Sequence, residues 1–400
     1  MKTAVLVNPF AILMTAFSVA FAFGALPWST IYPEPTAEFL LFFTILLVTC
    51  ALFYRASKNI LATTWVTSDH SPKVRLLLIT CLPLLIINLA YPTEIPILAG
   101  IRGSYELSIK EIELLPIGYP LAAGLFYFLG TQSLYYYIRF KKYKYLVIFA
   151  LSLAFPLLFV QRGIFVSQLA TAALLLLMQK NRISARQIFA GACLLLVVIA
   201  SFGAIGTIRD SSGKYFRPIE EIGAASNAYR ELNLPSAVFY SWLYLTSPLA
   251  NFQTNTSCGT SSKSKSSLSD FFVAEIIPDV LAKRLVDLDA IEENYADCRI
   301  TPTLNVGTAF SRAYSYLEWP GVYAIFFLHI MLFFICMIGL RRLKRRSSPY
   351  YPYAASYLAV FSAMTIFDNM IPNSARSLPL IMPFAFDTLR RIRFFRAPQK

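Results

Sequence analysis

The chain reads as an all-α, polytopic integral membrane protein of about ten transmembrane helices carrying one large loop outside the membrane. Three observations predict this. Of its 400 residues 56% are hydrophobic and only 14% charged, with a mean hydropathy of +0.56, more apolar surface than a water-soluble core can hide. The apolar residues fall in separate runs near membrane-spanning length, and the basic residues cluster between alternate runs. Finally, the stretch from Thr207 to Glu318 passes more than a hundred residues without a convincing run of that length.

The first run, Val5 to Leu26, is followed by no small-residue cleavage site and is read as a retained helix. Phe39 to Tyr54 is the second and Leu76 to Tyr91 the third, with Arg55, Lys58, His70, Lys73 and Arg75 between them. Pro120 to Ile138 is the fourth, stopped by Arg139, Lys141, Lys142 and Lys144. Tyr145 to Val160 and Gly163 to Met178 are the fifth and sixth, separated only by Gln161 and Arg162; Lys180, Arg182 and Arg186 precede the seventh, Ile188 to Ile208. Beyond the long polar stretch, Gly321 to Leu340 is the eighth, Tyr351 to Phe367 the ninth, and about Ser374 to Ile392 the tenth. The chain thus divides into residues 1–206 with helices 1–7, an outer loop over 207–318, and residues 319–400 with helices 8–10.

Ten spans place the basic clusters at 55–75, 139–144, 180–186, 341–346 and 390–396 on one side, the cytoplasmic one by the positive-inside rule, together with both termini. The same rule explains the formal net charge of +14 without nucleic acid, because those charges sit between apolar runs rather than along one binding face.

Within the outer loop, Ala237 to Phe252 is apolar and aromatic and reads as an interfacial helix or a re-entrant element. Thr254 to Ser269 is a Ser/Lys-rich tip, and Leu268 to Leu288 has the spacing of an amphipathic helix. Cys50, Cys81, Cys193 and Cys336 lie in or beside apolar runs as small buried side chains. Cys258 and Cys298 share the outer loop, and in an oxidising compartment a bridge between them would tie down about forty residues.

Catalytic motifs are absent. There is no phosphate loop, dinucleotide fingerprint or nucleophile elbow, no Cys/His spacing for a metal, and only two histidines, His70 and His329, so no cofactor and no metal is expected. The polar chemistry left is mainly arginine. Arg162, Arg209, Arg217, Arg230, Arg312 and Arg376 all fall on the outer side, where the positive-inside rule disfavours them. Each alone is explained by snorkelling or by a carboxylate such as Asp210 or Glu231. As a set they suit an anionic lipid substrate, because guanidinium matches phosphate oxygens bidentately. The carboxylates on that side are Asp210, Glu318 and Asp368, and aromatic residues gather near Trp242 and Tyr314.

Four features carry a resemblance: the many-span layout with a late outer loop, the Arg162-Gly163 pair between two spans, the seventh span ending GAIGTIR (Gly203 to Arg209), and LNVGTAFSRAYSYLEWPG (Leu304 to Gly321) entering the eighth. The chain resembles the O-antigen and capsular repeat-unit polymerases, the Wzy-type family. In that family the last motif commonly runs Asn, a small residue and Thr, then aromatics, then Asp-Phe-Gly. Asn305, Thr308, Tyr314, Tyr316 and Gly321 match it, while Glu318, Trp319 and Pro320 depart from Asp-Phe.

The resemblance implies an inner-membrane glycosyltransferase whose large loop is periplasmic. Such an enzyme moves the growing glycan from its undecaprenyl diphosphate onto an incoming undecaprenyl diphosphate-linked oligosaccharide. Arg162, Arg209, Arg230, Asp210 and Glu318 would serve catalysis, and Arg217, Arg312, Arg376, Asn305, Thr308, Tyr314 and Trp242 substrate binding. A chain-length regulator and a flippase of the same pathway would be its partners, beside the phospholipid bilayer. The rival readings are an O-antigen ligase, against which the lack of an outward histidine counts, and a polysaccharide flippase or transporter, which would show internal repeats and mid-span charges.

Overall fold

The computed structural model describes residues 7–60, 74–92, 95–101, 115–179, 218–258, 267–288, 290–291, 295 and 298–391. The expected seventh span, with Cys193, and the residues Arg209, Asp210, Arg217 and His70 lie outside them, as does half of the Ser/Lys-rich tip. Among the described residues the protein is all-helical, and its only β pairing is the isolated bridge between Ser29 and Ala225.

Helix α1 (Pro9–Gly24) starts at Asn8, whose Oδ1 accepts the amides of Phe10 and Ala11 while proline occupies the first turn, where its missing N–H costs nothing. The Asn8 Nδ2 also donates to Ser57 Oγ at 3.0 Å, which ties the start of α1 to the end of α2 (Ala37–Ser57) and fixes the two as antiparallel neighbours. α3 (Val74–Ala90) and the short α4 (Pro96–Ile101) follow. Next come α5 (Gly118–Phe140), α6 (Tyr143–Leu158) and α7 (Arg162–Met178), each packed on the other two. The small Gly130 lets α5 and α6 close up: a Cβ there would collide with Ser152.

Among the described residues two helices are long and apolar enough to cross a membrane: α2, and the helix running Ser311–Arg345. α1, α6 and α7 are apolar but shorter. Several of these turn large hydrophobic side chains outward, as with Leu52 on α2, Leu151 on α6 and Met331 on the Ser311–Arg345 helix, each more than 60% exposed. Meanwhile Ser, Thr, Asn and Gln side chains such as Thr131, Gln168, Asn251 and Ser362 are buried among the helices. In water that distribution leaves apolar surface unsatisfied; against hydrocarbon it is the stable one.

The stretch between the two halves is folded rather than a linker. It contains α8 (Ile219–Ile222), α9 (Asn227–Arg230), α10 (Ser236–Ser257), α11 (Leu268–Glu275) and α12 (Asp279–Leu285). The apolar aromatic segment left open between interfacial and re-entrant is α10, which packs along α1 and against the Ser311–Arg345 helix with its second half, Thr246 to Gln253, buried. The amphipathic helix expected over Leu268 to Leu288 is instead two. Ile277 precedes Pro278, a position that disfavours helical ψ, and Pro278 caps α12.

The C-terminal part consists of α13 (Ser311–Arg345), α14 (Tyr351–Met364) and α15 (Ser374–Arg391). α13 begins ten residues before the expected eighth span. It breaks at Leu317 and Glu318, where Glu318 takes φ 54°, ψ −143°, a region that only glycine enters cheaply. Pro320 and Gly321 follow the break, and at 321 a Cβ would run into the Ala313 carbonyl.

Candidate functional site

The site grows from α10. Asn251 and Asn255 lie four residues apart on one face of that helix, both buried, and their amides hold an otherwise irregular segment. Asn251 donates to the carbonyls of Leu304 and Val306 at 2.7 and 2.8 Å and accepts the Ile300 amide; Asn255 donates to Ser311 O and Ser315 Oγ and accepts the Cys298 amide. A disulfide joins Cys258, at the end of α10, to Cys298, where the segment begins. Residues 298–308 are thereby laid along α10.

At the far end of this segment Thr308 starts α13. Its Oγ1 accepts the Phe310 amide, and its own amide donates to Ser311 Oγ. The Ala309 amide donates to Thr365 O, which brings the segment against the loop between α14 and α15. That loop is pinned in turn: Asn369 donates to both the carbonyl and the Oε2 of Glu275 at 2.9 Å, and Asp279 accepts the Ser374 amide.

Between these walls lies a cavity of about 280 Å³ lined by Tyr295, Arg299, Asn305, Val306, Gly307, Thr308, Arg312, Tyr316, Phe367 and Asp368. Two ion pairs border it. The buried Glu275 carboxylate holds Arg312 Nε at 3.3 Å, and Asp368 holds Arg376 Nη1 at 3.3 Å. Glu275, 1% exposed, also accepts from Asn369, the residue after Asp368, so the two ion pairs, one from α11 and α13 and one from the loop after α14 and from α15, are held near one another. Arg299 makes no ion pair among the described residues. Tyr295 and Tyr316 pack ring to ring, centroids 4.6 Å apart, as the aromatic side of the cavity. A cavity with two guanidinium groups, a carboxylate, an amide and aromatic faces suits a sugar bearing negative charge. A larger, open depression along Lys283–Leu288 is lined by that single stretch and converges on nothing.

Of the expected substrate-binding residues, Arg312, Asn305 and Thr308 line this cavity, and Arg376 joins it through Asp368. Arg162 opens α7 beside Gly163, which approaches Arg376 closely. The remaining expected residues among those described sit elsewhere. Arg230 is on the surface, where Nε donates to Ala225 O and closes its own turn. Trp242 is buried, with Nε1 donating to Phe23 O at 2.8 Å and the rings of Trp28, Tyr32 and Phe239 around it. Burial pushes the Tyr32 hydroxyl well up, against the opposing effect of its hydrogen bond to Thr246, so it stays neutral. Tyr314 is buried and donates to Thr256 O, while Glu318 is exposed at the break of α13 and lines no part of the cavity. Sequence reasoning missed Asn251, Asn255, Glu275, Arg299, Tyr295 and Phe367. Two asparagines at helical spacing in an apolar run were the readable signal for the first pair.

No protein-family model, no curated protein and no solved structure matches the chain.

Proposed function

We propose that the protein polymerises undecaprenyl diphosphate-linked oligosaccharide repeat units at the periplasmic face of a bacterial inner membrane, as a ten-span protein with both termini in the cytoplasm. The cavity carries this reading: arginines and a carboxylate meet aromatic faces beside α13, a helix apolar enough to cross a membrane. A lipid-linked sugar presents that combination, with the glycan in water, the diphosphate at the interface and the tail in hydrocarbon.

In the reaction the acceptor hydroxyl oxygen bonds to the anomeric carbon of the growing chain. The bond from that carbon to the carrier's phosphate oxygen breaks, and its electron pair leaves on the diphosphate. The acceptor proton passes to a base, for which Asp368, in the cavity wall, has the position. Fixed guanidinium groups stabilise the charge gathering on the leaving group and need no metal to do so.

Deletion of the gene, followed by extraction of lipid-linked glycans, tests the reading. A single repeat unit accumulating on the periplasmic side is the expected result. Accumulated polymer would make the protein a ligase, and single units trapped on the cytoplasmic side a flippase.

A further inference from the structure

Three helices that are not consecutive in the chain, α5, α7 and α15, run parallel with their N-termini at one end. Tyr127 and Thr171, nine residues into α5 and α7, share a 2.7 Å hydrogen bond; Gly124 of α5 lies against Leu378 of α15, and further along Phe128 stacks on Phe386. At α15 the amides of Ser374, Arg376 and Ser377 are taken by Asp279 and Asn373, and at α5 the Tyr119 amide by Leu115 O, so the partial positive charge of open amides is contributed chiefly by α7. Into this already positive corner the fold directs a full cation. The Arg376 guanidinium approaches α7 so closely that a Cβ at Gly163 would sit 2.7 Å from Nη2. The amides of Gly163 and Ile164 have no acceptor among the described residues. Asp368 balances only one edge of the guanidinium, at Nη1.

A separate observation points to a ligand. Tyr119, in the first turn of α5, is 7% exposed, and its hydroxyl has no hydrogen-bond partner among the described residues. Its ring is wedged against Phe155 and Phe159, just before the start of α7, and its hydroxyl lies within electrostatic reach of Arg376. Burying a phenol without a partner is costly unless something polar arrives. An anion accepting from the Tyr119 hydroxyl, the Gly163 and Ile164 amides and Arg376 Nη2 would satisfy all of them at once.

We infer that Tyr119, Gly163 and Arg376 form a phosphate-binding subsite that holds the diphosphate of the glycan-bearing lipid, next to the sugar cavity and joined to it through Asp368. This rests on the polymerase reading for the identity of the lipid, while the site itself follows from the helix ends. It also assigns the small residue at 163 a purpose: only glycine leaves room for the guanidinium.

The test uses the full-length protein in nanodiscs of neutral lipid and measures binding of undecaprenyl diphosphate, with inorganic pyrophosphate and phosphatidylglycerol vesicles as competitors. Wild type should bind the lipid diphosphate, and pyrophosphate should compete. Tyr119→Phe should weaken binding ~3- to 10-fold, as for loss of one hydrogen bond. Gly163→Ala should weaken it at least as much, because its Cβ would displace Arg376 Nη2, while Tyr119→Phe, which deletes a hydroxyl without a partner among the described residues, should leave thermal stability unchanged or higher. Binding by wild type that neither variant weakens would overturn the subsite and leave the polymerase reading standing. No binding by wild type would instead remove the polymerase reading and the lipid named here. Competition by phosphatidylglycerol as strong as by pyrophosphate would reduce the site to a membrane anchor.

Discussion

Two regions of the protein contain an arginine beside tyrosines or tryptophans, and they treat them oppositely. Around Trp28, Tyr229 and Trp242 the rings pack on one another, centroids 5.3 to 5.6 Å apart in the pairs Trp28–Tyr229 and Trp28–Trp242, and Arg230 is spent on its own backbone turn. Around Glu275, Arg312 and Asp368 the rings of Tyr295, Tyr316 and Phe367 border open space, and the arginine is held by a buried carboxylate. The first arrangement satisfies itself. The second stores polar groups whose positions are fixed before any ligand arrives, which is the condition for stabilising charge in a reaction. An arginine is therefore judged by what holds it.

The largest effect on stability that would sharpen this contrast is expected at Glu275. Replacing it by Gln leaves Arg312 without its carboxylate at a site where Glu275 is 1% exposed and Arg312 35%. Removing one partner of such a pair costs about 3 to 5 kcal/mol when both are buried, and about 2 kcal/mol is expected here because Arg312 reaches solvent. Polymer formed per inserted molecule should fall at least tenfold, and the melting temperature in detergent should drop with it. Wild-type activity and stability in Glu275→Gln would mean the Glu275–Arg312 pair is not structural.

Next come the arginines. Arg312→Lys and Arg376→Lys keep the charge but lose the planar fork, and by analogy with an oxyanion-hole donor each should lose about 2.7 to 4 kcal/mol of transition-state stabilisation. Arg230→Lys should remain near wild type, since closing a turn on Ala225 O makes no demand on the fork. Polymer yield normalised to membrane-inserted protein separates the two cases. Equal losses at all three positions would dissolve the contrast between the regions.

How much of this could be read in advance divides along the same line. Expected runs and observed helices coincide closely: Phe39 to Tyr54 became Ala37–Ser57, and Gly163 to Met178 became Arg162–Met178. Periodicity and composition act locally, so they are visible locally. The choice among arginines was not, because it depends on Glu275, more than thirty residues before Arg312, and on Asp368, in a different part of the chain. The break at Glu318 announced itself only through Pro320, since positive φ at a glutamate has no compositional mark. Trp242 and Tyr314 were misplaced for a general reason: aromatic residues in an outer loop have the same sequence signature whether they stack on each other or on a sugar.

A moderate effect is expected from the ties that lay residues 298–308 along α10. The disulfide Cys258–Cys298 and the bond from the Cys298 amide to Asn255 act on the same point, so each can partly cover for the other. Reduction alone should cost less than the roughly 2 to 4 kcal/mol usual for removing a cross-link. Reduction combined with Asn255→Ala should cost more than the sum of the two. Both thiols should resist labelling in native membranes and accept label after reductant. Additive losses in the double perturbation would show that the two ties act independently.

The smallest effect, and the one that bears most directly on the contrast, is expected at Trp242. Its indole is 4% exposed and stacked within 4.9 Å of Tyr32, so phenylalanine in its place keeps a ring in the cluster and deletes chiefly the hydrogen bond from Nε1 to Phe23 O. One such bond is worth about 1 kcal/mol net. Trp242→Phe should therefore lower the melting temperature slightly and leave KM for the lipid-linked repeat unit unchanged, whereas Tyr316→Phe, on the cavity wall, should do the reverse. The two readouts cannot be exchanged by a general loss of folding, because stability and KM are measured on the same inserted protein. A raised KM in Trp242→Phe at unchanged stability would bring the packed cluster into the sugar site. The self-satisfied region would then be part of the binding surface, and exposure rather than packing would have to be explained for every aromatic in the loop.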